Sequence, residues 1–84
     1  MVRREVVFGC GEAMTPDIAA RIAQLAERFS AGLHLECGEK RVRLDSLIGI
    51  LSVECRRGKS LAVVADGEDE QPACAAIAAV LQGE

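Results

Sequence analysis

Residues 45–73 read DSLIGILSVECRRGKSLAVVADGEDEQPA, and several local signals follow one another inside them. DSLIGILSV is short and apolar, with Asp45 or Ser46 able to cap a helix. Gly49 within it costs about 1 kcal/mol against alanine in a helix, so the spacing predicts a brief, weak one. Arg56, Arg57, Gly58 and Lys59 spell a turn, and SLAVVAD after them is an apolar run of strand type. Gly67, Glu68, Asp69 and Glu70 then form a polar loop whose acidic groups suit the positive end of the next helix. The order is helix, turn, strand, loop, helix.

The same reading extends outward in both directions. QPACAAIAAVLQ continues as an alanine-rich helix with Ala73, Ala76, Ile77, Val80 and Leu81 as its expected buried stripe, and Gly83 follows it as a C-cap. Upstream, LHLEC and VRL alternate, with Leu33, Leu35, Cys37, Val42 and Leu44 as inward positions and Gly38 and Glu39 as a hairpin turn. Residues 16–29 place Ile18, Ala19, Ile22, Leu25, Ala26 and Phe29 at helical spacing. Thr15 is a good N-cap there, Pro16 suits the first helical position and Asp17 favours the helix dipole. REVVF, ended by Gly9, reads as a first strand. The resulting order, β-α-β-β-α-β-α, packs as a two-layer α+β domain with helices on one face of an antiparallel sheet.

Composition narrows the function. The 84 residues are half apolar and about a quarter charged, with a formal net charge of −3. A chain of this kind folds around one core, as one domain spanning 1–84. It has no broad basic face for nucleic acid, and Phe8 and Phe29 are its only aromatic residues. No apolar run approaches the roughly 20 residues that cross a bilayer, so membrane insertion is not expected. Cys10, Cys37, Cys55 and Cys74 are evenly spread and share one histidine, which excludes the usual zinc spacings; no metal or other cofactor is expected. The short apolar run after Arg3 and Arg4 is far from a secretory core. These features predict a cytoplasmic protein whose cysteines act as small reduced hydrophobes. Cys10, near the first helix, is the one thiol whose pKa that helix end would lower. His34 alternates with inward Leu33 and Leu35 and is expected on the solvent side of its strand.

Residues 45–73 also resemble the HPr family, the histidine phosphocarriers of the bacterial sugar phosphotransferase system. The resemblance rests on Ser46, the pair Leu47 and Ile48, Gly49, Ile50 and Leu51, the basic turn at Arg56, Arg57 and Gly58, the strand from Leu61 to Ala65, and the run Gly67, Glu68, Asp69 and Glu70. It continues without gaps to Met1. It implies an HPr-like open-faced β-sandwich: a four-stranded antiparallel sheet in the order 1-4-2-3, covered on one face by three helices.

The family carries its phosphoacceptor histidine, and an arginine two residues on, at the start of the first helix. This sequence has Thr15 and Asp17 at those positions and Ile18 where the family has a proline. It is thereby similar to the Crh-like members, which lack the histidine. The resemblance implies a non-enzymatic regulatory or interaction module of sugar transport and catabolite repression, without histidine phosphotransfer. Ser46 is the expected phosphorylation site, with HPr kinase, a catabolite-repression regulator and phosphotransferase-system components as candidate protein partners. Leu47, Ile48 and Leu51 are the expected docking residues. The competing expectation is a phosphocarrier that passes phosphoryl groups from enzyme I to sugar permease components through a non-standard residue.

Overall fold

A computed structural model describes residues 1–83. Its elements are β1 (Val2–Val7), α1 (Pro16–Ala26), β2 (Gly32–Cys37), β3 (Lys40–Arg43), α2 (Leu47–Leu51), β4 (Ser60–Asp66) and α3 (Glu70–Gln82). The expected order holds throughout. The strands form one antiparallel sheet in the order β1-β4-β2-β3, so the apolar run SLAVVAD lies between two neighbours while β1 and β3 form the edges.

Alternation along β4 separates the two faces of this sheet. Leu61, Val63 and Ala65 belong to the core together with Phe8, Ile22, Leu35, Leu44, Ile50, Ile77 and Leu81. Ala62 and Val64 face the other way, in register with Glu5 and Glu36 and with Arg3 and His34 respectively. Arg3 Nε donates to Glu36 Oε1 at 3.1 Å across that open face. Small thiols fill part of the core: Cys37, Cys55 and Cys74 are buried and unbridged. Burial pushes the Cys55 thiol up to about 11, so it stays neutral.

Two expectations about helix faces are revised. In α3, Ala73, Ile77 and Leu81 are buried as expected, but Cys74 and Ala78 join them while Ala76 and Val80 are only half-buried. Alanine at most positions offers no polar contrast, and contact with β1 and β4 selects the face instead. In α1 the regular helix ends at Ala26 rather than at Phe29, leaving Leu25 and Phe29 half-buried. Arg28 N–H to Leu25 O and Phe29 N–H to Ala26 O tighten the last turn.

The chain then bends because Asp69 captures it. One carboxylate oxygen accepts from Ser30 N–H at 2.9 Å, and the other accepts from Ala31 N–H at 2.8 Å. Gly67 permits the approach: a Cβ there would lie 2.7 Å from Ala31 Cα. At the far end of α3, Gly83 adopts φ 88° and closes the helix as its position predicts.

Candidate functional site

The loop before α1 is held in place by backbone bonds that no local pattern announces. Met14 N–H donates to Cys55 O at 3.0 Å and Arg57 N–H donates to Glu12 O at 3.0 Å. Ala13 forms an isolated antiparallel bridge with Arg56. The turn at Arg56, Arg57, Gly58 and Lys59 is therefore a tie to this loop, and Arg57 Nε is spent on Glu12 at 3.1 Å. It is a turn, as expected.

At the helix start, Thr15 has extended backbone geometry and its Oγ1 accepts from Ile18 N–H at 3.2 Å. Pro16 sits in the first turn, where a missing N–H costs nothing. Asp17 is exposed and makes no ion pair among the described residues. The first turn thus offers an alcohol and a carboxylate, with neither an imidazole nor a cation. Cys10 departs from expectation. Burial raises its thiol above the ordinary value, and that outweighs the downward pull of Arg21 and Arg57. His34 lies in β2, opposite Val64 and Arg43, on the sheet face away from the helices and half-buried there.

The start of α2 is built from the same kind of cap. Ser46 rather than Asp45 performs it, with Oγ accepting from Gly49 N–H at 3.1 Å. Asp45 instead receives Arg43 Nη2 at 2.7 Å, so the carboxylate beside Ser46 already has a cation. Sequence reasoning missed that role of Arg43, although its place two residues ahead of Asp45 was visible. Gly49 gives the hydroxyl its room: a Cβ at that position would stand 3.3 Å from both Ser46 Cβ and Oγ.

Beyond the cap, Ile50 is fully buried, whereas Leu47, Ile48 and Leu51 are 43%, 83% and 40% exposed. Ile50 thus turns into the core while its apolar neighbours face outward. A groove of about 220 Å³ runs beside this patch, lined by Ala13, Met14, Leu51, Val53, Glu54, Cys55 and Arg56. It joins the exposed end of α2 to the loop that leads into Thr15. Thr15 and Leu51, distant in sequence, therefore belong to neighbouring parts of one surface. The long-range bridge between Ala13 and Arg56 creates that neighbourhood, and no motif signals it.

Comparison with known proteins adds to this geometry. The sequence profile of the PTS-HPr family, described as "PTS HPr component phosphorylation site", matches residues 2–83. The HPr-like protein Crh of Bacillus subtilis is 33% identical over 84 residues, covering 100% of this chain and 99% of that one. A crystal structure of Crh from the same organism, described as a swapped dimer, superposes with a TM-score of 0.82 at 33% identity, over 100% of this chain and 97% of the other. The phosphocarrier protein HPr of Bacillus anthracis superposes with a TM-score of 0.91 at 30% identity, over 96% of each chain. Matched along nearly its whole length, with the sheet order and the three helices in common, this chain belongs to the HPr family.

Proposed function

We propose that this protein is a regulatory HPr-like module that acts without histidine phosphotransfer, is switched by phosphorylation at Ser46, and docks partners through Leu47, Ile48 and Leu51. One observation carries the reading. The first turn of α1 presents a capping alcohol, Thr15, and a carboxylate, Asp17, that makes no ion pair among the described residues, at the family's histidine and arginine positions. An alcohol with no base beside it is a poor nucleophile. A phosphate ester formed on it would be stable and unsuited to onward transfer. Asp17 would also repel an incoming phosphoryl group by a modest, screened amount.

Ser46 supports the regulatory half of the reading. A phosphate on its oxygen meets the Gly49 N–H that the hydroxyl already receives, at the favourable end of a short helix. The pairing of Asp45 with Arg43 reduces the repulsion that a dianion would otherwise meet next door. Leu47, Ile48 and Leu51 supply an exposed apolar patch immediately after the modified residue, the kind of surface that marks an interface. Similarity to Crh, a protein named for catabolite repression, favours HPr kinase and a catabolite-repression regulator as the partners. The role is that of a substrate and ligand of other proteins in the cytoplasm, not of an enzyme.

Two incubations test it. With HPr kinase and ATP, the chain should acquire acid-stable phosphate that disappears in Ser46→Ala. With enzyme I and phosphoenolpyruvate, it should acquire no acid-labile phosphate. Acid-labile label that then passes to a permease component would overturn the proposal.

A further inference from the structure

The outer edge of β3 has open backbone groups and an excess of positive charge on a protein whose formal net charge is −3. Leu44 N–H donates to Leu33 O at 3.0 Å, which fixes the alternation of the β2–β3 ladder. Lys40 and Val42 bond inward to β2, so the amide groups of Arg41 and Arg43 point outward. Ser46 N–H takes the Arg43 carbonyl at 3.3 Å. Arg41 N–H, Arg41 C=O and Arg43 N–H are left as a short open hydrogen-bonding edge.

The side chains give this edge a sign. Lys40, Arg41 and Arg43 are all exposed. Arg43 is matched by Asp45 at 2.7 Å. Lys40 Nζ donates to a neutral carbonyl, that of Ser52, at 2.8 Å. Arg41 stands 4.0 Å from Glu36, a carboxylate already engaged at 3.1 Å by Arg3. Against these three cations stand Asp45, Glu36 as shared with Arg3, and Glu39 in the turn before Lys40, so the edge keeps a small excess of positive charge. Paired with the same strand of a second copy, the cations would face one another and repel.

At the end of the same strand lies a cleft of about 540 Å³, and Arg43, His34, Phe29 and Leu33 are among its lining residues. Glu27 and Asp45 also line it, so it suits an apolar side chain better than an anionic one. We propose that the free edge of β3, with Arg41 and Arg43, and this cleft form one groove for an extended acidic segment of a partner protein. The segment adds as a fifth strand beside β3, sets carboxylates over Arg41 and Arg43, and places an apolar residue in the cleft beside Phe29. Backbone pairing supplies the affinity in such strand addition, and the charges supply the choice of partner. The groove uses neither the Ser46 hydroxyl nor the patch at Leu47, but it shares Arg43 and Asp45 with the surroundings of Ser46. Its test is therefore read on the unphosphorylated chain, where it succeeds or fails whatever becomes of the function proposed above.

The probe is a fluorescein-labelled peptide of alternating glutamate and valine ending in leucine, beside the same peptide with lysine for glutamate. Anisotropy with the full chain should show saturable binding of the acidic peptide only, weakening as salt is raised. Amide resonances of Arg41 and Arg43 should shift on titration. Arg41→Glu with Arg43→Glu should weaken binding about tenfold or more, while circular dichroism stays unchanged because both arginine side chains are exposed. Arg41→Gln removes the cation and keeps the outward N–H, whereas Arg41→Pro removes both without touching the β2 ladder, as an edge strand tolerates, so the proline variant should bind more weakly than the glutamine variant. Absence of saturation by about 1 mM, equal binding of the lysine peptide, indifference to the charge reversal, or shifts confined to Leu47, Ile48 and Leu51 would each overturn the proposal.

Discussion

The starts of α1 and α2 are made from the same part and carry different loads. Thr15 and Ser46 each offer a hydroxyl oxygen to a backbone N–H three residues on, at 3.2 and 3.1 Å. Behind Thr15 stand 11 helical residues, with Ile18, Ala19, Ile22 and Ala26 buried. Behind Ser46 stand five, of which only Ile50 is buried. Packing accounts for the first helix completely. It does not account for the second, whose other large apolar side chains face outward next to a glycine that lowers helix stability. At Thr15 the structure shows a cap and a packed helix, and under the function proposed above that position is structural only. The position beside the exposed patch keeps features that folding alone does not require.

The largest test of that contrast is to return the missing side chains. The α1 start has its loop ties, its proline and its buried face, so a histidine placed at position 15 would meet an ordered helix start. Thr15→His combined with Asp17→Arg should turn a chain unlabelled by enzyme I and phosphoenolpyruvate into one that carries acid-labile phosphate. Loss of the threonine cap costs about 1 kcal/mol, too little to unfold a domain of ordinary stability. A folded double variant that stays unlabelled would mean that the difference lies in the surrounding surface and not in these two residues.

Within α2, truncation should separate structure from surface. Ile50→Ala removes a fully buried side chain and should cost about 2–5 kcal/mol, read as a lowered urea midpoint. Ile48→Ala removes a side chain that is mostly in water and should change stability by less than about 0.5 kcal/mol. Partner capture should show the reverse order, with Ile48→Ala the damaging change at temperatures where both variants are folded. Equal losses of stability would place Ile48 in the core and remove it from the docking surface.

The third helix start sharpens the comparison by breaking its pattern. Asp69 stands at the N-cap of α3 but makes no cap bond; its carboxylate is directed across the molecule to Ser30 and Ala31. Those donors, the Ser30 amide first, hold its pKa below the ordinary aspartate value. A carboxylate depressed in the folded state stabilises it above the unfolded pKa of about 4, and that contribution is lost as pH falls through the lower folded value. Asp69→Asn should therefore lower stability at neutral pH and flatten its decline below about pH 4. Some acid sensitivity should survive, because Glu70 is also held low, chiefly by the Met1 amino group at 2.7 Å. An unchanged acid profile in Asp69→Asn would show that the loop does not depend on this carboxylate.

The sequence made the elements legible and left their long-range ties hidden. Strand alternation at Leu33, Leu35 and Cys37, and the pairing of buried Ile50 with exposed Ile48, follow from local periodicity, and the structure has both. The face of α3 does not follow, because Cys74 and Ala78 are buried while Ala76 and Val80 are only half-buried, a difference set by packing against β1 and β4 and not by residue type. The Cys10 thiol was misjudged for a related reason. Proximity to a helix start is visible in sequence order, whereas burial depends on how the 9–14 loop folds back. The bond from Arg43 to Asp45 is local and was within reach; the bridge from Ala13 to Arg56 joins residues whose pairing only the folded chain defines.

The finest expected difference lies between the two caps themselves. Thr15→Ala should cost about 1 kcal/mol in urea unfolding, because the whole of α1 leans on that end. Ser46→Ala should cost less, about 0.5 kcal/mol, because only a five-residue helix depends on it. Gly49→Ala then reports whether the Ser46 hydroxyl is tightly seated. Helix propensity favours the alanine by up to about 1 kcal/mol. Its Cβ, however, would stand 3.3 Å from Ser46 Oγ and 3.5 Å from Arg43 O, so part of that gain is spent displacing the cap. In the wild type the two effects should nearly cancel. In a Ser46→Ala background the oxygen is gone, and the same substitution should become stabilising by a few tenths of a kcal/mol. Additivity within error would show that Gly49 makes no special room for the hydroxyl, and the α2 start would then be as ordinary a cap as that of α1.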